Sequence, residues 1–171
     1  VIDRSKLLDL SGRGRTEQYR LAEQYGIRGF SAPAGGCLLT DENFSEKLRD
    51  LFADQPTVSP TDIRLLTLGR HFKVSPGVRV VLGRDRRENE LLDEIAGPGY
   101  HFFEPLDFMG PVAVVTGELT DELKTLAGRL IVSYSKKFSG PLRTIRMGNE
   151  TFPAGPAIDS PDSVLKRIGA H

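Results

Sequence analysis

The sequence predicts an α/β (or α+β) fold: a compact three- to four-stranded mixed sheet with helices, preceded by an N-terminal helical appendage. Three observations point there. Strand-like and helix-like patterns alternate over residues 60–147, as expected where helices cover a sheet. The first third carries two amphipathic helical stripes around a loop, with no strand pattern. At 171 residues and 39% hydrophobic, the chain suffices for one substantial core, alone or with a smaller segment packed on it.

Taken in order, "TEQYRLAEQYGI" reads as a first helix, with Thr16 as cap, Tyr19, Leu21, Ala22 and Tyr25 at helical spacing and Gly26 as its stop. Prolines and glycines make residues 30–36 a loop. Thr40 or Asp41 can then cap a second helix whose Phe44, Leu48, Leu51 and Phe52 form one apolar stripe. "DQPTVSPTD" breaks the pattern at two prolines, and Ser59-Pro60-Thr61-Asp62 has the order of a helix start. "VRVVL" at 78–82 follows Pro76-Gly77 and reads as a strand. Asp85 and Glu88 frame the next helix, with Leu91, Leu92 and Ile95 as its stripe and Gly97-Pro98-Gly99 as its end. "YHFF" and "VAVVT" read as strands joined through Gly110-Pro111. Thr120 opens the most periodic helix, in which Leu119 can staple Leu123, and a final strand falls near "RTIRM".

No stretch has the length and apolarity of a membrane span, no signal peptide is visible, and no membrane partner is expected. A single cysteine cannot form an internal disulfide, which fits a reducing compartment and a cytoplasmic location. The start on Val1 suits a piece of a longer protein. Basic and acidic residues balance at 23 each, so net charge gives no support for steering toward nucleic acid. Their distribution is uneven: residues 62–87 hold Arg64, Arg70, Lys73, Arg79, Arg84, Arg86 and Arg87 against Asp62 and Asp85.

Motifs for nucleotide or metal chemistry are absent. There is no GxxxxGK[ST], no GxGxxG after a strand and no HExxH, and His71, His101 and His171 have no metal-ligand spacing, so neither a cofactor nor a metal is expected within this sequence. Cys37 has two readings. It is a small apolar residue behind a glycine turn, or a thiol whose pKa is lowered by nearby backbone amides for sulfur chemistry. "LGRHFKV" and "VVLGRDRRENELL" suit phosphate binding: guanidinium forks pair with phosphate oxygens, and the first free amides of a helix add partial positive charge. Arg70, Lys73, Arg84, Arg86 and Arg87 are the candidate cations. Asn89 offers an amide to a base or ribose, and the rings of "YHFF" can stack on bases. The competing reading is a solvated helix face with weak surface ion pairs and a "YHFF" buried in the core. "SYSKK" adds a basic patch without an assigned mechanism.

"VVLGRDRRENELLDEIA" and "GYHFFEPLDFMGPVAVVTG" resemble the RNA-binding domain of NFACT-type proteins, through Gly83, Arg84, Asn89, His101, Gly110 and the strand Val112 to Val115. Asp85 stands where that family commonly has asparagine. Upstream, "LLDLSGRGRTEQYRLAEQYGI", "SAPAGGCLLTDENFSEKLRDLF" and "LLTLGRHF" resemble the tail of bacterial proteins that join a PP-loop ATP pyrophosphatase, related to tRNA thiouridylases, to a divergent NFACT-like domain. The two resemblances cover about residues 5–138. They imply a helical appendage over 1–55 that continues an N-terminal enzyme module, and an RNA-binding domain over 56–171. They imply tRNA as partner, contacted by the basic residues with Asn89 and His101, and ATP bound only by the separate PP-loop module. Cys37 would be the catalytic residue in sulfur transfer, served by a sulfur-donor protein. The alternative is a non-catalytic domain that docks on its own ATPase module or on such a donor.

Overall fold

The computed structural model describes residues 15–29, 37–136 and 143–169. The chain divides into two compact units, residues 1–37 and 38–171. In the first, α1 (Thr16–Gln24) ends in a Schellman motif: the Ile27 N–H donates to the Ala22 carbonyl and the Gly26 N–H to that of Glu23, with Gly26 at φ +62°. Thr16 is the first helical residue rather than the cap.

Among its described residues the second unit is one seven-stranded sheet carrying helices. A 3-10 turn at Leu38–Thr40 leads to α2 (Glu42–Asp54) and α3 (Pro60–Leu66), then β1 (Arg70–Ser75), β2 (Val78–Leu82), α4 (Arg86–Ile95), β3 (Tyr100–Pro105), β4 (Ala113–Thr116), α5 (Asp121–Ser133), β5 (Thr144–Met147), β6 (Glu150–Pro153), α6 (Pro161–Val164) and β7 (Lys166–Ile168). The strand order is β6-β5-β3-β4-β2-β1-β7. Every ladder is antiparallel. The α/β (or α+β) class stands, with a sheet that is longer than the sequence pattern indicates and, among the described residues, antiparallel throughout rather than mixed. Strands β1, β6 and β7 escape that pattern because β1 carries Arg70, His71 and Lys73, and the other two are short and polar.

Helix starts follow local chemistry. Asp41, not Thr40, caps α2 by accepting from the Phe44 N–H at 2.8 Å. Ser59 and Asp62 form a reciprocal capping box on α3. Asp85 caps α4 and Thr120 caps α5, each accepting from the backbone N–H three residues on. No helix among the described residues is long and apolar enough to cross a membrane.

Strand alternation separates two cores. Phe72, Val80, Leu82, Phe103 and Val115 pack with Leu123, Ala127, Leu130 and Ile131 of α5. Val81 and Val114 point the other way, onto Leu65, Leu68, Leu92 and Ile95 of the α3–α4 layer. His71 shares that second face, fully buried, with Nε2 2.9 Å from the Leu68 carbonyl. Burial, reinforced by the charge of Lys47, pushes its pKa down to about 3, so the ring is neutral. A neutral ring bonded to a carbonyl carries its proton on Nε2.

Helix α2 is fastened to the β1–β2 hairpin by charge. The buried Arg79 Nη2 donates to Asp50 Oδ2 at 2.7 Å and to Asp54 Oδ2 at 2.8 Å, and the Lys73 ammonium reaches both carboxylates. Burial opposes ionisation of the two aspartates, but hydrogen bonds from Lys73, joined by Arg79 at Asp50 and by the Gly77 N–H at Asp54, hold both below their usual range.

Removing one member of such a network strands a buried charge, so Asp54→Asn is expected to lower unfolding free energy by about 3–5 kcal/mol in urea titrations. A change below about 1 kcal/mol, the value of an exposed pair, would show the network to be idle. The contribution of the two depressed carboxylates is fully present above the unfolded value of about 3.9 and is lost as pH falls through their lower folded values. The variant should accordingly show a shallower acid dependence of stability than the parent.

Candidate nucleic-acid interface

The strand-to-helix junction after β2 forms one wall of a cleft of about 450 Å³. Arg70 from the start of β1, Gly83 to Arg86 and Asn89 stand on one side. The Phe108–Pro111 turn and the end of α5, with Tyr134 and Lys136, close the other. The cleft is thus a basic rim around an apolar floor, with Met109 71% exposed.

Glu88 organises the rim. Its Oε2 accepts the Gly69 N–H at 3.2 Å and the Arg84 N–H at 2.8 Å, and the same carboxylate takes the Arg84 guanidinium. Burial works against ionisation of Glu88, yet the Arg84 bonds and the Gly69 amide hold it below the ordinary glutamate range. One carboxylate therefore ties the turn before β1 to the turn after β2. Arg70 lies with its guanidinium 5.1 Å from the Tyr134 ring centre, a cation–π geometry, and Nη1 donates to the Gly83 carbonyl at 3.4 Å.

Asn89 Oδ1 accepts the Val112 N–H at 3.3 Å and so pins the incoming β4 segment to α4. That contact requires glycine at 83, where an added Cβ would stand 2.0 Å from Asn89 Oδ1. Arg86 projects into solvent from the first turn of α4 with Glu90 as its partner. Arg87 is exposed beside it without lining the cleft.

The structure brings together Arg70, Arg84, Arg86 and Asn89 from the sequence-predicted set, and places the rest elsewhere. Lys73 lies in the Asp50–Asp54 cradle on the opposite face of β1. His101 is half-buried on β3, opposite Val115. The "YHFF" rings form no stacking platform: Phe103 is fully buried, Phe102 packs with the α3–α4 core, and the Tyr100 hydroxyl bonds Asp62. The aromatic lining of the cleft comes instead from the half-buried Tyr134 and from the edge of Phe108, a core residue 9% exposed, and the further cation is Lys136. Tyr134 and Lys136 fall within the "SYSKK" patch; Phe108 carries no sequence signal. Cys37 is exposed, and the glycine-rich stretch before it, like His171, lies outside the described residues. Among the described residues no cluster of His, Cys, Asp and Glu could hold a metal ion.

The family model of the NFACT protein RNA binding domain matches residues 69–155, a segment that contains every residue lining the cleft. The chain belongs to this family. It carries an NFACT-type RNA-binding domain, extended at both ends by α1–α3 and by α6–β7. A solved structure of the C-terminal part of the fibronectin/fibrinogen-binding protein from Streptococcus suis is also similar, at 18% identity and a TM-score of 0.47, covering 70% of this chain. The chain spans 65% of the length of that structure. No curated protein matches the chain.

Gly83→Ala is expected to expel the Asn89 side chain from its place against Val112 and leave a polar group unpaired, at about 1–3 kcal/mol. Because both changes break one hydrogen bond, Gly83→Ala and Asn89→Ala should be clearly sub-additive in a double-mutant cycle by chemical denaturation. Strict additivity would mean that the glycine is required for some other reason.

Proposed function

We propose that this RNA-binding domain takes tRNA, with the strand backbone on the Arg70, Arg84, Arg86 and Lys136 rim and an unstacked base against Tyr134. The observation that carries the reading is the coincidence of four cations with an apolar, partly aromatic floor inside the family-matched segment of a chain with no net charge. Cations on phosphates supply affinity without sequence information, while stacking of a base on an aromatic side chain adds about 1–3 kcal/mol and tolerates any base. Recognition of this kind reads the shape of an RNA and its unpaired nucleotides.

The wider role follows from the resemblance of the upstream segments. The domain presents tRNA to a PP-loop module that binds ATP, in a protein that modifies tRNA, and Cys37 handles sulfur received from a donor protein. The exposure of Cys37 supports this part of the reading.

Two measurements test these two levels separately. Arg86→Ala with Lys136→Ala should weaken tRNA binding and reduce the slope of log affinity against log salt by about 0.7–0.9 for each phosphate no longer neutralised, with the fold intact by circular dichroism. An unchanged slope would remove the cleft from RNA binding and leave a docking role for the domain. In the protein that includes the PP-loop module, Cys37→Ser should abolish thiolation while leaving tRNA affinity nearly unchanged. Undiminished turnover would return Cys37 to a structural place.

A further inference from the structure

Behind the first cleft lies a second cavity of about 320 Å³, and Arg70 and Arg84 form part of the wall of both. Its far side is built outside the family-matched segment, from Asn43 and Lys47 of α2 and from Arg167 and Gly169 at the C-terminal strand. Gly169 allows the closure: a Cβ there would stand 2.8 Å from the Asn43 carbonyl oxygen and 3.1 Å from Lys47 Cε.

The charge inside is unbalanced. Lys47 is only 8% exposed, and its ammonium donates to the carbonyls of Leu66 at 3.2 Å and Gly69 at 3.5 Å, with no carboxylate in contact among the described residues. Arg70 likewise meets a ring and a carbonyl rather than an acid. Arg84 and Arg167 have Glu88 and Asp162. Asp41, the one acidic side chain in the lining, is occupied in capping α2. A buried ammonium without a direct counterion is costly unless something anionic joins it. Burial and the neighbouring Arg84 charge push the Lys47 pKa down to about 8, with Arg167 acting the same way and Glu88 and Asp41 against it. An entering anion would reverse the direction of that shift. Asn43 is also in the lining, but its Oδ1 is enclosed by protein and does not open onto the cavity.

We propose that this cavity is a phosphomonoester site, with Lys47, Arg70, Arg84 and Arg167 around the phosphate of a ribonucleotide. The phosphate comes from the 5′ end of an RNA lying in the first cleft or from a free nucleotide. For the first of these sources the inference rests on the RNA-binding reading above.

The test uses adenosine monophosphate, together with one short RNA prepared with a 5′-phosphate and with a 5′-hydroxyl. Adenosine monophosphate is expected to bind and to shift the amide resonances of Gly69 and Gly169. The phosphorylated RNA should bind at least about tenfold more tightly than its hydroxyl form, the equivalent of one charge-assisted hydrogen bond. Lys47→Gln and Arg167→Gln should each erase both effects while leaving the affinity for the hydroxyl RNA unchanged. Arg167 lies on an edge strand, so its variant keeps the test decisive if the buried Lys47 substitution fails to fold. Adenosine monophosphate binding without any RNA preference would support the site and assign it to free nucleotides. Retained adenosine monophosphate binding with no RNA binding at all would defeat the RNA reading and support the cavity. Equal affinity for the two RNAs with no nucleotide binding, or effects insensitive to both substitutions, would overturn the inference.

Discussion

The clamp of Asp50 and Asp54 on Arg79 sets the placement of α2 against the β1–β2 hairpin. Helix α2 has a mixed inward stripe in which Phe44, Lys47 and Leu51 are buried and the two aspartates accompany them at helical spacing. Apolar contacts alone allow such a helix to slide or rotate by small amounts at little cost. Two carboxylates closing on one buried guanidinium do not, because their geometry is directional and an unmatched charge is expensive. Lys47, one turn before Asp50, thereby takes its position against the Leu66 and Gly69 carbonyls.

Glu88 performs the corresponding task on the rim between the clefts. By accepting from two backbone amides and from Arg84, it holds two chain turns together and keeps Arg84 at the boundary. The run of cations across residues 62–87 is consequently not one basic face. Arg64 pairs with Glu94 and Arg86 with Glu90 at the surface, Arg79 is buried with the half-buried Lys73 beside it, and Arg70 and Arg84 stand at the clefts. A charge count along the sequence places all seven in one patch; strand alternation sends Arg70 to one face and Lys73 and Arg79 to the other, while the remaining four lie on α3, on α4 and in the turn before α4.

That contrast explains how much is legible in the sequence alone. The caps of α3, α4 and α5 are readable because each depends on residues within three positions of one another, and the apolar stripes of α4 and α5 follow the helical period, whereas that of α2 holds for Phe44 and Leu51 but leaves Phe52 exposed. The β2 strand announces itself through consecutive valines. Strand β1 does not, since its Arg70 and Lys73 are satisfied by partners far off in sequence, Tyr134 for one and the α2 aspartates for the other. The same limitation applies to the cleft. Arg70, Arg84, Arg86 and Asn89 sit near the glycine turns that single them out, whereas Phe108 and Lys136 arrive through tertiary folding alone. By pattern Lys47 belongs to the solvated outer face of its helix, and no local feature distinguishes it from the exposed Arg49 nearby.

The pairing of β1 with β7 joins the first strand of the sheet to the last. During synthesis β1 emerges before β7 and can form its hairpin with β2 at once, but its other edge stays open until β7 has emerged. An unpaired strand edge is a template for unwanted association during that interval. Until then the cavity beside Lys47 lacks the wall that Arg167, Ile168 and Gly169 supply. The rear cavity is therefore a late product of synthesis, whereas the front cleft is complete once β4 and the end of α5 have folded. A nascent chain paused before β7 would possess the front cleft and lack the rear cavity.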